Sequence, residues 1–393
     1  MNVGLSRRDK EKQARTRLLI EGAVIIALVI LTMVVLPLVL EDFRLKLVGR
    51  FFAMAIVALG IDLIWGYTGL LSLGHGIFFA LGGYAFAMHL NLQLPEGEIP
   101  EFFMLYGVEK LPAFWEPFRS LPFTLIALVV VPGIVAGFLG YLVFRNRIKG
   151  VYFSIITQAA LLVFFNFFNG QQKLINGTNG LKTDSSFFFG QRVGDPSTQL
   201  IFYEVTIVCV LLVYLLCRWL TSGRFGRLLV AIRDDETRVR FTGYDPTWFK
   251  VVVFAISGAI AGVSGALYTV QSGIITPNYM EVAFSIEMVI AVAVGGRGTL
   301  SGAILGTMLV NFARTYLSES FPEIWLFFQG ALFLIVVTVL PDGIVGWVRD
   351  VFLVQVRRVM GWDQPMSYPA IAEDSVIQSE QEQLAQDEIK SRS

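Results

Sequence analysis

Ser72 and His75 stand in a glycine-rich run, Gly66-Tyr67-Thr68-Gly69-Leu70-Leu71-Ser72-Leu73-Gly74-His75-Gly76, inside a membrane-length apolar region. An imidazole at that depth needs a partner or water. Irregular backbone survives in a bilayer only where protein covers it or a cavity runs past it. Ser72, Gly74 and His75 are therefore candidates for lining a solute path or supporting its gate, with close helix packing as the structural alternative. A second polar set, Ser154, Thr157, Gln158, Asn166 and Asn169, interrupts the apolar stretch 151–169. Ser154, Gln158 and Asn169 recur near helical multiples as one polar stripe. Amides in hydrocarbon must bond to something, so the set, with Thr157, Gln158 and Asn166 as its pathway candidates, reads either as interhelical hydrogen bonds or as a wet stripe for a polar, uncharged solute. Glu287 is a third candidate, because ionisable groups within spans are functional hypotheses. Asp62 and Glu21 share that status, and none of the three has an evident cationic partner inside a span.

The chemistry on offer is hydrogen bonding to a passing solute rather than bond making. The chain has no G-x-x-x-x-G-K-[ST] loop for ATP and no G-x-S-x-G elbow for a hydrolase. No metal-ligand spacing occurs either, so no catalytic and no metal site is expected. A formal net charge of zero gives nucleic acid no electrostatic support. Cys209 and Cys217 share one apolar run and are too far apart along it to form a disulfide.

Position comes from the elements around these residues. Of 393 residues, 55% are hydrophobic and 16% charged, against roughly 25% charged in soluble domains. The composition predicts an all-α, polytopic membrane bundle in contact with the lipid bilayer. Apolar runs at 18–40, 46–65, 70–90, 121–144, 151–169, 200–219, 249–271, 284–296, 300–316 and 323–341 predict about ten crossings, some short or broken. The charged start is too long for a cleaved leader, so 18–40 is expected to persist as a span.

Lys and Arg cluster in 1–17, 145–149 and 220–250, whereas 91–120 is acidic. This asymmetry predicts a cytoplasmic N-terminus and an external 91–120 loop. Arg349, Arg357 and Arg358 draw the C-terminus to the cytoplasm, which requires 284–316 to cross twice with Gly295-Gly296-Arg297-Gly298 near the inner turn. A single crossing with an external C-terminus is the alternative. The expected division is a basic tail (1–17), a membrane domain (18–343) and a polar, partly disordered tail (344–393).

Two further segments are informative. Residues 249–271 overlap small-xxx-small pairs, with Gly258, Gly262 and Gly265 expected to let another helix approach. Residues 223–243 place Phe225, Leu228, Leu229, Ile232 and Val239 on one helical face, with charges opposite and stop signals at Gly243 and Pro246. Such a helix lies on lipid headgroups or docks into a cytoplasmic partner. Its mixture of basic and acidic residues favours a protein contact. There is also an internal echo, Gly66-x-x-Gly69-x-Leu71-Ser72 against Gly295-x-x-Gly298-x-Leu300-Ser301, of the kind found in transporters with repeats.

Together these segments resemble the permease subunits of the branched-chain amino acid ABC importer family, over about residues 50 to 347. The glycine-rich run through Phe79 looks like the family's early motif, and Gly177-Thr178-Asn179-Gly180-Leu181 is similar to its external turn. The segment Gly223 to Gly243, with Ala231-Ile232-Arg233-Asp234-Asp235-Glu236, looks like its cytoplasmic coupling segment. Gly295-Gly296-Arg297-Gly298-Thr299-Leu300-Ser301-Gly302-Ala303 and Pro341-Asp342-Gly343-Ile344 complete the series. Within the family, Gly60-Ile61-Asp62-Leu63-Ile64-Trp65, Leu73-Gly74-His75-Gly76 and Val292 to Leu300 are most similar to the larger permease of the urea-importer branch.

The resemblance implies a multi-pass permease of a bacterial plasma membrane, moving urea or, alternatively, a branched-chain or other amino acid. It implies a homologous second permease, two ATPase subunits that carry ATP-Mg, and an extracytoplasmic solute-binding protein. No cofactor is expected in this chain, no enzymatic step, and no nucleic-acid partner. Arg224, Arg227, Ile232, Arg233, Asp234, Asp235, Glu236 and Gly243 would couple it to the ATPases. A stand-alone secondary transporter or channel is the rival class.

Overall fold

The computed structural model describes residues 27–95, 98–148, 150–321 and 343–348, with isolated positions between 327 and 338. The expected tails, Glu21 and nearly all of the 323–341 span lie outside them. The described residues up to Gly346 form one compact unit. Trp347 and Val348, in the following segment, are exposed.

Nine main helices follow one another: α1 (Asp42–Thr68), α2 (His75–Asn91), α3 (Leu121–Arg145), α4 (Val151–Gly170), α5 (Pro196–Ser222), α6 (Arg224–Phe241), α7 (Pro246–Ser272), α8 (Val282–Gly295) and α9 (Leu300–Ser320). Among the described residues, α1, α3, α4, α5 and α7 are each long and apolar enough to cross a membrane. The pair α8 and α9 meets at a 119° bend, so 282–320 is a helical hairpin rather than a straight rod. The expected span at 18–40 contributes an apolar helix over Ala27–Val39. The expected span at 70–90 is cut short, because residues 69–74 are not helical. Two short antiparallel pairs, β1 (Leu181–Lys182) with β4 (Ile274–Ile275) and β2 (Phe187–Phe188) with β3 (Gln191–Arg192), tie down loops at one end.

Helices α1 and α7 form the centre. Some 72% of the apolar window of α1 and 67% of that of α7 are buried, against 22% for α4, so α4 keeps most of its surface for lipid or another subunit. The two central helices run antiparallel in a register set by hydroxyls: Ser264 Oγ donates to Ala53 O at 2.6 Å and Ser257 Oγ to Gly60 O at 2.5 Å. Such bonds between membrane helices contribute about 0.6 kcal/mol each, so they fix register more than they stabilise.

Tight contact comes from the absence of side chains. A Cβ on Gly258 would press on Ala136 and on Pro132 O of α3, one on Gly262 would strike Leu128 O, and one on Gly265 would enter the Phe79 backbone of α2. The α7 glycines therefore seat two helices at once.

The two central helices end alike. Gly69 (φ +71°) caps α1 and Gly273 (φ +77°) caps α7, each donating its N–H four residues back. Left-handed glycine caps of this kind stop a helix without steric cost. A non-helical connection leads from each to a shorter helix, 69–74 to α2 in the first case and, through a short strand and a 3-10 turn, 274–281 to α8 in the second. Because α1 and α7 are antiparallel, these are inverted counterparts. Gly69 and Gly273 are thus matching caps, a correspondence different from the Gly69–Gly298 match of the sequence echo.

Candidate functional site

Both interruptions turn back into the bundle. His75 Nε2 lies 2.7 Å from Ser257 Oγ, which donates to Gly60 O. Gly60 is eight residues before Thr68, so the chain climbs about 12 Å between the end of α1 and the start of α2. The serine's single proton is committed to Gly60, so Nε2 carries the hydrogen of the His75–Ser257 bond. His75 is buried and packs edge-on to Phe78 and Phe254. Its place is a brace joining α1, α2 and α7.

The climbing backbone of 69–74 is covered by α4. Ser154 Oγ donates to Leu71 O at 2.6 Å, and Leu73 N donates to Thr157 Oγ1 at 3.1 Å. Ser72 Oγ accepts from Gly74 N at 3.2 Å, and a Cβ on Gly74 would meet Thr157 O at 3.0 Å. Ser72, Gly74 and Thr157 are brought together as satisfaction for an interrupted helix. Gln158 is half-buried beside them. Asn166 is not part of the group: it is exposed and bonds back to Leu162 O of its own helix. Ser154, Gln158 and Asn169, the residues of the expected stripe, are all half-buried, whereas Thr157 is fully covered and Asn166 faces outward.

From the opposite end, residues 273–281 descend along α2. Ile275 lies against Gly83 and Tyr279 O against Gly76, seven residues and so about 10 Å apart along the helix. The N-terminal turns of α2 and α8 consequently meet at mid-depth. Ser285, in the first turns of α8, is buried beside Gly76 with no hydrogen bond to its hydroxyl among the described residues. An aromatic group lies next to this junction: Phe79 to Tyr268 at 5.3 Å, Phe79 to Phe284 at 5.1 Å and Tyr279 to Phe284 at 5.1 Å between ring centroids. Sequence reasoning missed Tyr268, Tyr279 and Ser285. The signal available was a proline, Pro277, just before an apolar helix of only fourteen residues.

Glu287, expected to lack a cationic partner, has one. Arg314 of α9 donates to its carboxylate across the α8–α9 hairpin. Asp62 is fully buried and accepts from Gly298 N at 2.5 Å, and a Cβ on Gly66 would meet Gly298 Cα at 2.6 Å. The two echoing glycine motifs are therefore neighbours in space. They pack backbone to backbone where α1 meets the α8–α9 turn, and Gly343 packs on Gly296 of the same turn.

Helix α6 lies at that end. Its inward face is Gly226, Leu229, Ile232, Glu236 and Val239. Arg233 Nη1 donates to Gly66 O at 2.8 Å, and its stem covers Gly69. A guanidinium on the last carbonyls of a helix is favoured by the helix dipole. α6 is not one straight helix: Asp235 has extended backbone (φ −154°, ψ 97°) and accepts from Thr237 N and Arg238 N, capping a second piece.

Glu236, expected on the charged outer face, points inward instead. It lies 3.1 Å from Lys250 Nζ and 2.8 Å from Arg240 Nη2. Arg224, Arg227 and Asp234 are exposed on the outer face. Gly243, with φ +88°, makes the turn into α7, and Asp245 caps α7 by accepting from Thr247 N at 3.0 Å. That N–H, with Arg240 adding to it, holds the Asp245 carboxyl below the usual range.

Among known proteins, a model of the branched-chain amino acid transport system permease component matches residues 43–337. The high-affinity branched-chain amino acid transport system permease protein LivM of Salmonella typhimurium is 29% identical over 75% of this chain and 68% of its own length. LivM of Escherichia coli K12 is 28% identical over the same shares. The high-affinity branched-chain amino acid transport system permease protein LivH of Escherichia coli K12 is 24% identical over 74% of this chain and 91% of its own length. No solved structure matches the chain. The narrower resemblance to the urea branch draws no support from these relatives. With most of its length matched and helices able to cross a membrane, the chain belongs to the branched-chain amino acid permease family of ABC transporters, multi-pass proteins of the inner membrane.

Proposed function

We propose that this chain is one of two homologous permeases of a binding-protein-dependent importer, and that its solute is a branched-chain amino acid rather than urea. The junction of α2 and α8 is the observation that carries this. Two interrupted helices bring their N-terminal turns to one place, and the positive end of a helix dipole favours a carboxylate. The aromatic group of Phe79, Tyr268, Tyr279 and Phe284 beside it suits an aliphatic side chain. Urea offers neither a carboxylate nor an apolar chain to such a junction.

Similarity to both LivM and LivH supports pairing with a second, related permease. In this reading ATP-Mg is bound and hydrolysed on two separate ATPase subunits, which grip the outer face of α6, and an external binding protein delivers solute to the loop end. Arg233 passes the motion of α6 to the end of α1. The Asp62–Gly298 bond carries it on to the α8–α9 turn. The chain supplies a lever and half of a pathway.

The test is uptake into proteoliposomes holding the complete complex and its binding protein. Labelled leucine, isoleucine or valine is expected to accumulate only with ATP inside, and urea is expected not to compete. Transport of urea in place of leucine would overturn the solute assignment. Flux through this chain alone, without ATPase subunits, would return it to the stand-alone class.

A further inference from the structure

At the α6 end of the bundle, the close of α3 and the start of α7 enclose a cavity of about 330 Å³ whose lining includes Tyr141, Arg145, Arg147, Arg240, Asp245 and Trp248. Three guanidiniums there face one carboxylate. Arg240 is shared with Glu236 at 2.8 Å and lies 3.9 Å from Asp245. Arg145 lies over the Tyr141 ring at 5.5 Å and donates to its hydroxyl, and makes no ion pair among the described residues. Arg147 is exposed and likewise has no carboxylate among the described residues. Its φ of +56° is a conformation that a non-glycine residue adopts at a cost.

The cavity opens at the membrane boundary. Tyr141 and Trp248 lie with ring centroids 5.6 Å apart and their planes tilted by 34°, and amphipathic aromatics of this kind mark the headgroup level. Directly above it, Ile134, Phe138 and Leu142 are exposed at four-residue spacing along α3. They form one apolar stripe that ends at the arginines.

We propose that this cavity is a binding site for the phosphate of an anionic phospholipid. The headgroup phosphate lies between Arg145 and Arg147, and an acyl chain follows the Ile134–Phe138–Leu142 stripe. Guanidinium forks match phosphate oxygens, and basic pockets between membrane helices are suited to anionic headgroups. A free phosphate would satisfy the same arginines but has no use for the apolar stripe. An acidic loop of a partner protein would meet the arginines from the water side and would likewise leave the stripe unused. Because Arg240 belongs to α6 and Asp245 caps α7, an occupied site would tie the coupling segment to the bilayer.

The experiment uses the full chain, delipidated in detergent, with phosphatidylglycerol, phosphatidylcholine or inorganic phosphate added. Bound lipid is counted by native mass spectrometry and the unfolding midpoint is followed. Phosphatidylglycerol is expected to bind and raise the midpoint, whereas phosphatidylcholine and inorganic phosphate leave it unchanged. The double variant Arg145→Gln, Arg147→Gln is expected to bind phosphatidylglycerol roughly thirtyfold more weakly, the loss of two surface guanidiniums. The variant Lys110→Gln, Arg192→Gln removes the same charge at other exposed positions and is expected to bind like the parent. Both variants must keep the parent's midpoint in phosphatidylcholine, which separates loss of the site from loss of the fold.

Equal binding of phosphatidylcholine, or an equal shift with inorganic phosphate, would overturn the lipid assignment. So would a first double variant that retains phosphatidylglycerol but no longer assembles with its ATPase subunits, which would make the cavity a protein contact.

Discussion

Replacing Gly265 by valine is expected to eliminate well-folded protein. A Cβ at this position would meet the carbonyl oxygen of Phe79 and come within 2.6 Å of its carbonyl carbon. Ordinary overpacking of a core costs about 1–3 kcal/mol, because side chains can move aside. Here the obstacle is helix backbone, so α2 and α7 must part along their whole contact, and the Gly82–Gly262 approach is lost with it. The expected outcome is a fall in midpoint of roughly 10 °C or more, or no monodisperse peak on size-exclusion chromatography. Gly137→Ala is the matched control. Its new Cβ would touch only Ala255 Cβ at 3.4 Å, and alanine gains up to about 1 kcal/mol in helix propensity over glycine. A Gly265→Val protein as stable as Gly137→Ala would show that α2 and α7 do not pack in this way.

The second large effect concerns Glu236 and Lys250, and it is asymmetric. Lys250 is almost wholly buried, with Nζ 3.1 Å from the Glu236 carboxylate and 5.1 Å from the Phe144 ring centroid. Glu236 also holds Arg240. Glu236→Gln removes the carboxylate beside a buried ammonium, a change that costs about 3–5 kcal/mol. Lys250→Met leaves Glu236 paired with Arg240 and extends the apolar surface around Phe144. It is expected to cost much less, and the double variant is expected to regain most of the loss. Thermal unfolding of the three proteins gives the coupling directly. Equal losses for the two single variants would mean that the pair is exposed in the assembled protein.

The sequence made the interruptions legible and left their geometry hidden. Gly69, Gly74 and the small residues of 249–271 are types whose presence in a membrane helix has few explanations, so broken helices and close packing could be read from them. Asn166 shows the limit. An amide in an apolar run signals a need for a partner, and a bond to the preceding turn of its own helix meets that need as well as a pathway would. Ion pairs were the least legible. Glu287 and Arg314 are joined only by the bend at Gly295–Thr299, and Glu236 and Lys250 only by the turn at Gly243. A hairpin's register decides which residues face each other, and composition carries no record of it. The glycine echo lies in two motifs that touch, since Gly66 packs on the backbone of Gly298, a proximity that the likeness of the two motifs alone did not disclose.

In the proposed importer, α6 drives the two interrupted helices through Arg233. In the complete reconstituted complex, Arg233→Ala removes a charged hydrogen bond worth about 1.5–3 kcal/mol. Solute moved per ATP hydrolysed is therefore predicted to fall on the order of tenfold to a hundredfold while hydrolysis itself persists. An Arg233→Ala complex that imports with undiminished stoichiometry would show that α6 does not act through this arginine.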